Sequence, residues 1–98
     1  MPVEPVTRWQ TENIHLTLAD TEYSIVLPSS ARQYRFRCRT AFVIRYAYET
    51  GKVAAPTEKY LSLPANADYM SDANDITGLT IYFASDEADV VVEMEIWK

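Results

Sequence analysis

The stretch RQYRFRCRTAFVIRYAY, residues 32–48, decides the fold class of this chain. Aromatic or apolar side chains alternate with basic ones, so that Tyr34, Phe36 and Cys38 oppose Arg35, Arg37 and Arg39. A period of two is typical of a β-strand, in which successive side chains point to opposite faces. The alternation continues to residue 48, which exceeds the usual strand length of roughly 3–10 residues. We therefore predict two strands with a break near residues 40–41.

The same alternation recurs along most of the chain, in residues 13–18, 23–27, 59–63, 79–84 and 89–98. Turn-forming residues separate these segments. We expect the first two to form a β-hairpin, and residues 65–78 to form a polar loop with room for one helical turn. About seven short strands predict an all-β fold with antiparallel pairing, as a two-sheet β-sandwich or small jelly roll.

The length of 98 residues predicts one domain, which we place at residues 13–98. Residues 1–12 are predicted to form an extended N-terminal arm, because Pro2 and Pro5 favour extended backbone and remove amide donors. Trp9, near the end of this arm, is a candidate anchor for a partner. The first ten residues contain no apolar run, so no signal peptide is expected. The longest apolar run, at residues 90–92, is far below the roughly 20 residues of a membrane span.

The arginines stand out because the chain is acidic, with 14 Asp and Glu against 9 Lys and Arg and a net charge of −5. This balance argues against direct contact with nucleic acid. Two interpretations of the basic row remain open. Arg35, Arg37 and Arg39 can form a cross-strand ladder with Glu93 and Glu95, which have the same spacing. Alternatively these arginines, together with Arg45, can bind an acidic surface on a partner.

Catalytic and metal-binding patterns are weak in this sequence. The only histidine, His15, is predicted on the polar side of a strand, and the only cysteine, Cys38, on the buried side, so neither a disulfide nor a Cys-His site is expected. Asp68, Asp72 and Asp75 resemble calcium ligands in a loop. A calcium-binding loop that starts at Asp72 needs glutamate at its twelfth position, however, and this sequence has Phe83 there. We therefore predict no catalytic residue, no metal and no cofactor.

A resemblance supplies a more specific hypothesis. The ordered segments at residues 39–51, 60–64, 79–85 and 90–97 carry RTAFVIRYAYETG, YLSLP, LTIYFAS and VVVEMEIW. In that order they resemble small β-sandwich proteins encoded in the structural gene clusters of tailed bacteriophages. The resemblance implies a non-enzymatic virion component, made in the host cytoplasm. A capsid decoration protein, or another head- or tail-attached protein, would fit.

The partners implied by this resemblance are other coat or tail subunits, with the chain present in many copies or as a homo-oligomer. Exposed aromatic residues and arginines are the side chains best suited to such contacts. The interaction candidates are therefore Trp9, Arg35, Arg37, Arg39, Arg45, Tyr60, Tyr69 and Trp97. The alternative hypothesis is a carbohydrate-binding module or a tail-fibre-associated adhesion domain, which would stack sugars on Tyr or Trp.

Overall fold

The computed structural model describes residues 9–54, 59–71 and 76–98. In these ranges the chain forms eight β-strands. They are β1 (Trp9–Leu16), β2 (Tyr23–Val26), β3 (Gln33–Cys38), β4 (Ile44–Ala47), β5 (Leu61–Leu63), β6 (Asp68–Met70), β7 (Thr80–Ala84) and β8 (Val90–Trp97). The same ranges contain no helix long and apolar enough to cross a membrane.

The strands form two four-stranded sheets, in the orders β1-β8-β3-β6 and β2-β7-β4-β5. Every pair is antiparallel. The two sheets pack face to face around one main core, which confirms the predicted all-β sandwich. We call them the first and the second sheet.

The predicted break in residues 32–48 is confirmed. β3 ends at Cys38 in the first sheet, and β4 begins at Ile44 in the second. Ala41 lies in the connection with a φ of 60°, a left-handed conformation that non-glycine residues rarely adopt. The strong twist of the chain at this residue takes it from one sheet to the other.

Two predictions about pairing are wrong. β1 and β2 do not form a hairpin, because β1 pairs with β8 and β2 pairs with β7 in the other sheet. Residues 68–70 are not loop, since they form β6 against β3. β6 has only three residues, and only Tyr69 among them is partly buried, so the sequence shows no alternation there. Residues 72–75 of the predicted loop lie outside the described residues.

The predicted boundary of the N-terminal arm is also wrong for residues 9–12. These residues belong to β1, which pairs with β8 from Trp9 opposite Trp97 to Leu16 opposite Val90. Gln10 and Glu12 are half-buried and alternate with exposed neighbours. They are polar, so the first half of the strand has no alternation of apolar and polar residues by which it could be predicted. Backbone pairing with β8 therefore extends the domain to Trp9. Residues 1–8 of the predicted arm lie outside the described residues.

The core is built from the inward positions that the alternation predicted. Phe36 lies at its centre, with its ring centroid 5.0 Å from that of Tyr46 and 5.1 Å from that of Phe83. Full burial of an aromatic or large aliphatic side chain stabilises a fold by about 1.5–3 kcal/mol. The predicted alternation of residues 13–18 puts Leu18 on the same side as Ile14 and Leu16, but β1 ends at Leu16 and Leu18 is 61% exposed.

A smaller cluster lies on the outer side of the second sheet. Ala47, Val53 and Ala84 are buried there, because the segment after β4 folds back over that strand. The outward residues of β4, Arg45 and Ala47, are buried under this segment, while Ile44 and Tyr46 face the main core. The second sheet is therefore covered on part of its outer side, whereas the first sheet is not covered by any described segment.

Candidate interaction surface

The outer side of the first sheet, which we call the A face, collects most of the predicted interaction residues. Side chains alternate along every strand, so the outward residues are fixed by the register. The A face consists of Trp9, Thr11, Asn13 and His15 from β1, Val91, Glu93, Glu95 and Trp97 from β8, Gln33, Arg35 and Arg37 from β3, Asp68 and Met70 from β6, and Arg39 just after β3.

The predicted charge ladder is present in the register of β3 and β8. Arg35 stands opposite Glu95, and Arg37 stands opposite Glu93. The Nε atoms of Arg37 and Arg39 each lie 3.1 Å from one carboxylate oxygen of Glu93. Arg39 also donates a hydrogen bond of 3.2 Å to Oδ1 of Asn13 on β1. The sequence prediction that these rows share one face on adjacent strands is therefore confirmed.

Two arginines on one carboxylate shift its protonation equilibrium. The hydrogen bond from Arg39 is the largest cause that holds the pKa of Glu93 below its usual value of 4.5, and the hydrogen bond from Arg37 adds to it. Exposed pairs of this kind add little to stability, because water screens the charges. The ladder therefore acts mainly on strand register and on the charge pattern of the surface.

The other half of the ladder differs from the prediction. Arg35 makes its salt bridge to Asp68 on β6, at 3.2 Å, instead of to Glu95. β6 was not predicted, so this competing carboxylate was not visible in the sequence. Glu95 is exposed, and it forms no salt bridge within the part of the chain that the structure describes. The A face thus carries a positive excess around Glu93 and a negative charge at Glu95.

A tryptophan pair forms one corner of the A face. Trp9 and Trp97 are directly opposite each other in the register, and their rings stack with centroids 6.1 Å apart and an interplanar angle of 24°. Trp9 is 56% exposed, and Met70, across the sheet on β6, is 57% exposed. These two side chains border a small cavity of about 50 Å³, which Arg35 and Glu95 also line. The corner therefore combines exposed aromatic area with charged neighbours.

Arg45 does not belong to this surface. It lies in the second sheet and is only 7% exposed. Its Nε donates a 2.7 Å hydrogen bond to the carbonyl of Val53, and its Nη2 lies 2.7 Å from Oδ1 of Asp20. The guanidinium also lies 5.9 Å from the ring centroid of Tyr60. The prediction that Arg45 contacts a partner surface does not fit this burial, because the side chain holds two loops of its own chain.

Tyr69 lies between the two sheets. Its ring centroid is 5.6 Å from that of Tyr46 and 5.5 Å from that of Phe36. Tyr34 and Tyr48 join the same cluster through a hydrogen bond of 2.6 Å between their hydroxyl groups. Tyr69 is therefore a packing residue in large part.

The cluster also affects the ionisation of its tyrosines. Burial is the main cause that raises the pKa of Tyr34, and the hydrogen bond to Tyr48 raises it further. The pKa values of Tyr46 and Tyr48 are raised by burial as well. Tyr34 on β3 and Tyr69 on β6 come from the first sheet and Tyr46 on β4 from the second, so the cluster joins the two sheets.

The residues considered for catalysis or metal binding are separated in the structure. His15 is exposed on the A face, whereas Cys38 is buried on the inner side of the same sheet, with its Sγ 3.2 Å from Oγ1 of Thr40. In residues 9–54, 59–71 and 76–98, no group of three or more His, Cys, Asp or Glu side chains is placed to hold a metal ion. Asp68 is paired with Arg35, and Asp72 and Asp75 lie outside the described residues.

No protein-family model, curated protein or solved structure matches the chain. The fold, the A face and the resemblance in sequence are therefore the grounds on which a function can be proposed.

Proposed function

We propose that this chain is a non-enzymatic structural protein of a tailed-bacteriophage particle. Within that class, a capsid decoration or other head-associated protein that binds coat subunits through the A face fits best. The observation that carries the proposal is the exposed Trp9–Trp97 pair beside an arginine-rich row on an uncovered sheet. The resemblance in sequence supports the particle context.

The tryptophan corner has the composition of an interface centre. Tryptophan and arginine are enriched among the residues that dominate protein–protein binding. An aromatic side chain buries up to roughly 250 Å², so the 56% exposure of Trp9 leaves roughly 140 Å² to be covered by a partner. At about 25 cal/mol per Å², covering it would favour binding by about 3.5 kcal/mol before ordering costs.

The edges of both sheets are consistent with several neighbours. Each of the four edge strands carries one exposed large apolar side chain: Trp9 on β1, Val26 on β2, Leu61 on β5 and Met70 on β6. Single exposed apolar residues are common on protein surfaces. Their presence on every edge nevertheless suits a subunit that is surrounded by others, where weak contacts act together.

The test is the composition of purified particles. Particles from the organism that encodes the chain are banded on a density gradient and analysed by quantitative mass spectrometry. We expect the chain to band with the major coat protein at a fixed ratio that survives a second gradient. Recovery of the chain only in the soluble fraction would refute the proposal.

A matched pair of variants then tests the surface. Trp9→Ala should reduce the amount of chain bound per particle, because the exposed ring is lost. Leu18→Ala removes a side chain of similar exposure, at 61%, beyond the other end of β1 and away from the A face. It should leave the bound amount unchanged. Equal effects of the two substitutions would argue against the A face as the docking surface.

A carbohydrate-binding or tail-fibre adhesion module is the second candidate, and one observation favours it. An open groove of about 390 Å³ lies beside the end of β4, lined by Tyr48 and Tyr60 together with Glu49 and Lys59. Aromatic rings beside polar groups suit a sugar. A glycan array would test it: saturable binding that Tyr60→Ala abolishes and Trp9→Ala leaves intact would support this candidate over the first.

A further inference from the structure

We infer that two copies of this chain associate face to face through their A faces. The two-fold axis lies midway between the two copies, parallel to the strands and over the boundary between β8 and β3. The inference rests on the charge pattern of the A face and does not depend on the proposed role in a particle. It names a second copy of the chain as the subunit that occupies this surface, in a particle or in solution.

The A face is divided into charged columns. The column on β3 is positive, with Arg35 and Arg37, and Arg39 continues it just beyond the strand. The neighbouring column on β8 is negative, with Glu93 and Glu95. β8 and β3, which carry these two columns, are the central strands of the sheet. The two-fold axis runs over the boundary between them.

A two-fold axis at this boundary makes the face complementary to itself. It places β8 of one copy over β3 of the other. Residues that are paired across the strands of one copy keep the same position along the strand direction in the second copy. Glu95 of one copy then faces Arg35 of the second copy, because these residues occupy the same row. Glu93 faces Arg37 of the second copy in the same way. Each contact occurs twice, as an interface with two-fold symmetry requires.

The charges that would meet are available. Glu95 is exposed and has no salt-bridge partner in the described ranges. The Arg37 side chain is 61% exposed even with its salt bridge to Glu93, and the Arg35 side chain is 40% exposed. Stacked sheets lie about 10 Å apart, a gap that arginine and glutamate side chains from the two faces can fill.

The outer strands are compatible with the same arrangement. The axis places β1 over β6 of the second copy. Thr11 then faces Met70 of the second copy, and Asn13 faces Asp68, so no like charges are opposed. Trp9 lies one row beyond Thr11, diagonal to the exposed Met70 of the second copy. Apolar contacts at the Trp9 end therefore accompany the polar pairs at the centre.

The test is charge exchange between copies, measured on the full chain by sedimentation equilibrium at low ionic strength. We expect the wild-type chain to dimerise and the dimer to weaken as salt is added. Glu95→Arg and Arg35→Glu each oppose like charges at two symmetry-related positions. Each should raise the dissociation constant by about tenfold or more.

Mixing the two single variants is the decisive step. In a mixed dimer, the arginine introduced by Glu95→Arg in one copy faces the glutamate introduced by Arg35→Glu in the other. The unchanged Arg35 of the first copy faces the unchanged Glu95 of the second, so both pairs are oppositely charged again. The mixture should dimerise with nearly wild-type affinity although each variant alone does not. Damage within one chain, such as a weakened fold, would not be repaired by mixing.

A control and a second pair complete the experiment. Glu87→Arg makes the same charge change on an exposed loop away from the A face and should leave the dimer intact. If thermal melting shows that a reversal variant does not fold, Glu95→Gln and Arg35→Gln replace it, and each should weaken the dimer measurably. A wild-type chain that stays monomeric at 100 μM would overturn the inference and return the A face to a different partner. Single variants that remain monomeric when mixed would overturn it as well.

Discussion

Replacing Arg45 by methionine should destabilise the domain by about 2–4 kcal/mol. Methionine approximates the apolar stem of the buried side chain but removes the guanidinium and with it both donors. The carbonyl of Val53 then loses a charge-assisted hydrogen bond of 2.7 Å inside the small outer cluster. Loss of such a bond, with a buried acceptor left unpaired, costs about 1.5–3 kcal/mol. The lost contact with the Tyr60 ring, at 5.9 Å, adds about 0.5–1 kcal/mol.

The salt bridge to Asp20 should contribute much less. The Asp20 side chain is 55% exposed, so water screens its interaction with Arg45, and about 0–1 kcal/mol is expected. Asp20→Asn is a suitable partner variant, because asparagine also tolerates the φ of 51° found at this position. We therefore expect Asp20→Asn to cost under about 1 kcal/mol.

Urea denaturation followed by tryptophan fluorescence measures both variants and the double variant. For a domain of this size, the effect of Arg45→Met corresponds to a fall in melting temperature of about 10 °C or more. A loss below 0.5 kcal/mol would show that Arg45 does not hold the segment around Val53. If Asp20→Asn cost as much as Arg45→Met, the salt bridge and not the carbonyl contact would carry the stability, and the reasoning would be wrong.

Three further predictions concern ionisation and backbone strain. Burial holds the pKa of Tyr34 above its usual value of 10.0, so the folded state keeps a proton that the unfolded chain releases, and stability should fall as the pH rises above about 10. Tyr34→Phe should reduce this slope by up to about 1.4 kcal/mol per pH unit, as measured by urea denaturation at several alkaline pH values. The lowered pKa of Glu93 means that its contribution to stability is lost as the pH falls through that pKa. Carboxyl NMR titration should show a higher Glu93 pKa in both Arg39→Ala and Arg37→Ala, because each Nε lies 3.1 Å from the carboxylate; an unchanged pKa in both variants would contradict these contacts. Ala41→Gly should leave stability unchanged or raise it by up to about 1 kcal/mol in a thermal melt, because glycine adopts the φ of 60° without strain; a clear loss would show that the alanine methyl group is needed.

The fold class and the inward rows were predictable because they depend on local alternation. Phe36, Ile81 and Met94 are fully or almost fully buried, as their positions in the pattern required. Strand pairing was less accessible. The hairpin between residues 13–18 and 23–27 was expected because the two segments are close in sequence, but each pairs with a strand more than fifty residues away. Alternation fixes which side of a strand is apolar and does not specify its neighbour.

The candidate surface was predictable in the same partial way. Equal spacing predicted that the arginine row and the glutamate row share a sheet face. The register agrees, with Arg35 opposite Glu95 and Arg37 opposite Glu93. The carboxylate that Arg35 contacts was not predicted, because Asp68 lies on a three-residue strand without a readable pattern. Short edge strands leave little trace in a sequence, so their side chains are the ones most easily missed on a surface.

The separate positions of Arg37 and Arg45 show why one row of arginines has two roles. Both belong to the same alternating stretch, but the chain changes sheets at Ala41. Before the change, the outward side of the strand is the uncovered A face, where the Arg37 side chain is 61% exposed. After it, the outward side lies under the segment around Val53, where the Arg45 side chain is only 9% exposed and its hydrogen bonds are internal. A partner can therefore reach the arginines of the first sheet and not the one in the second, which is why both the docking proposal and the dimer are assigned to the A face.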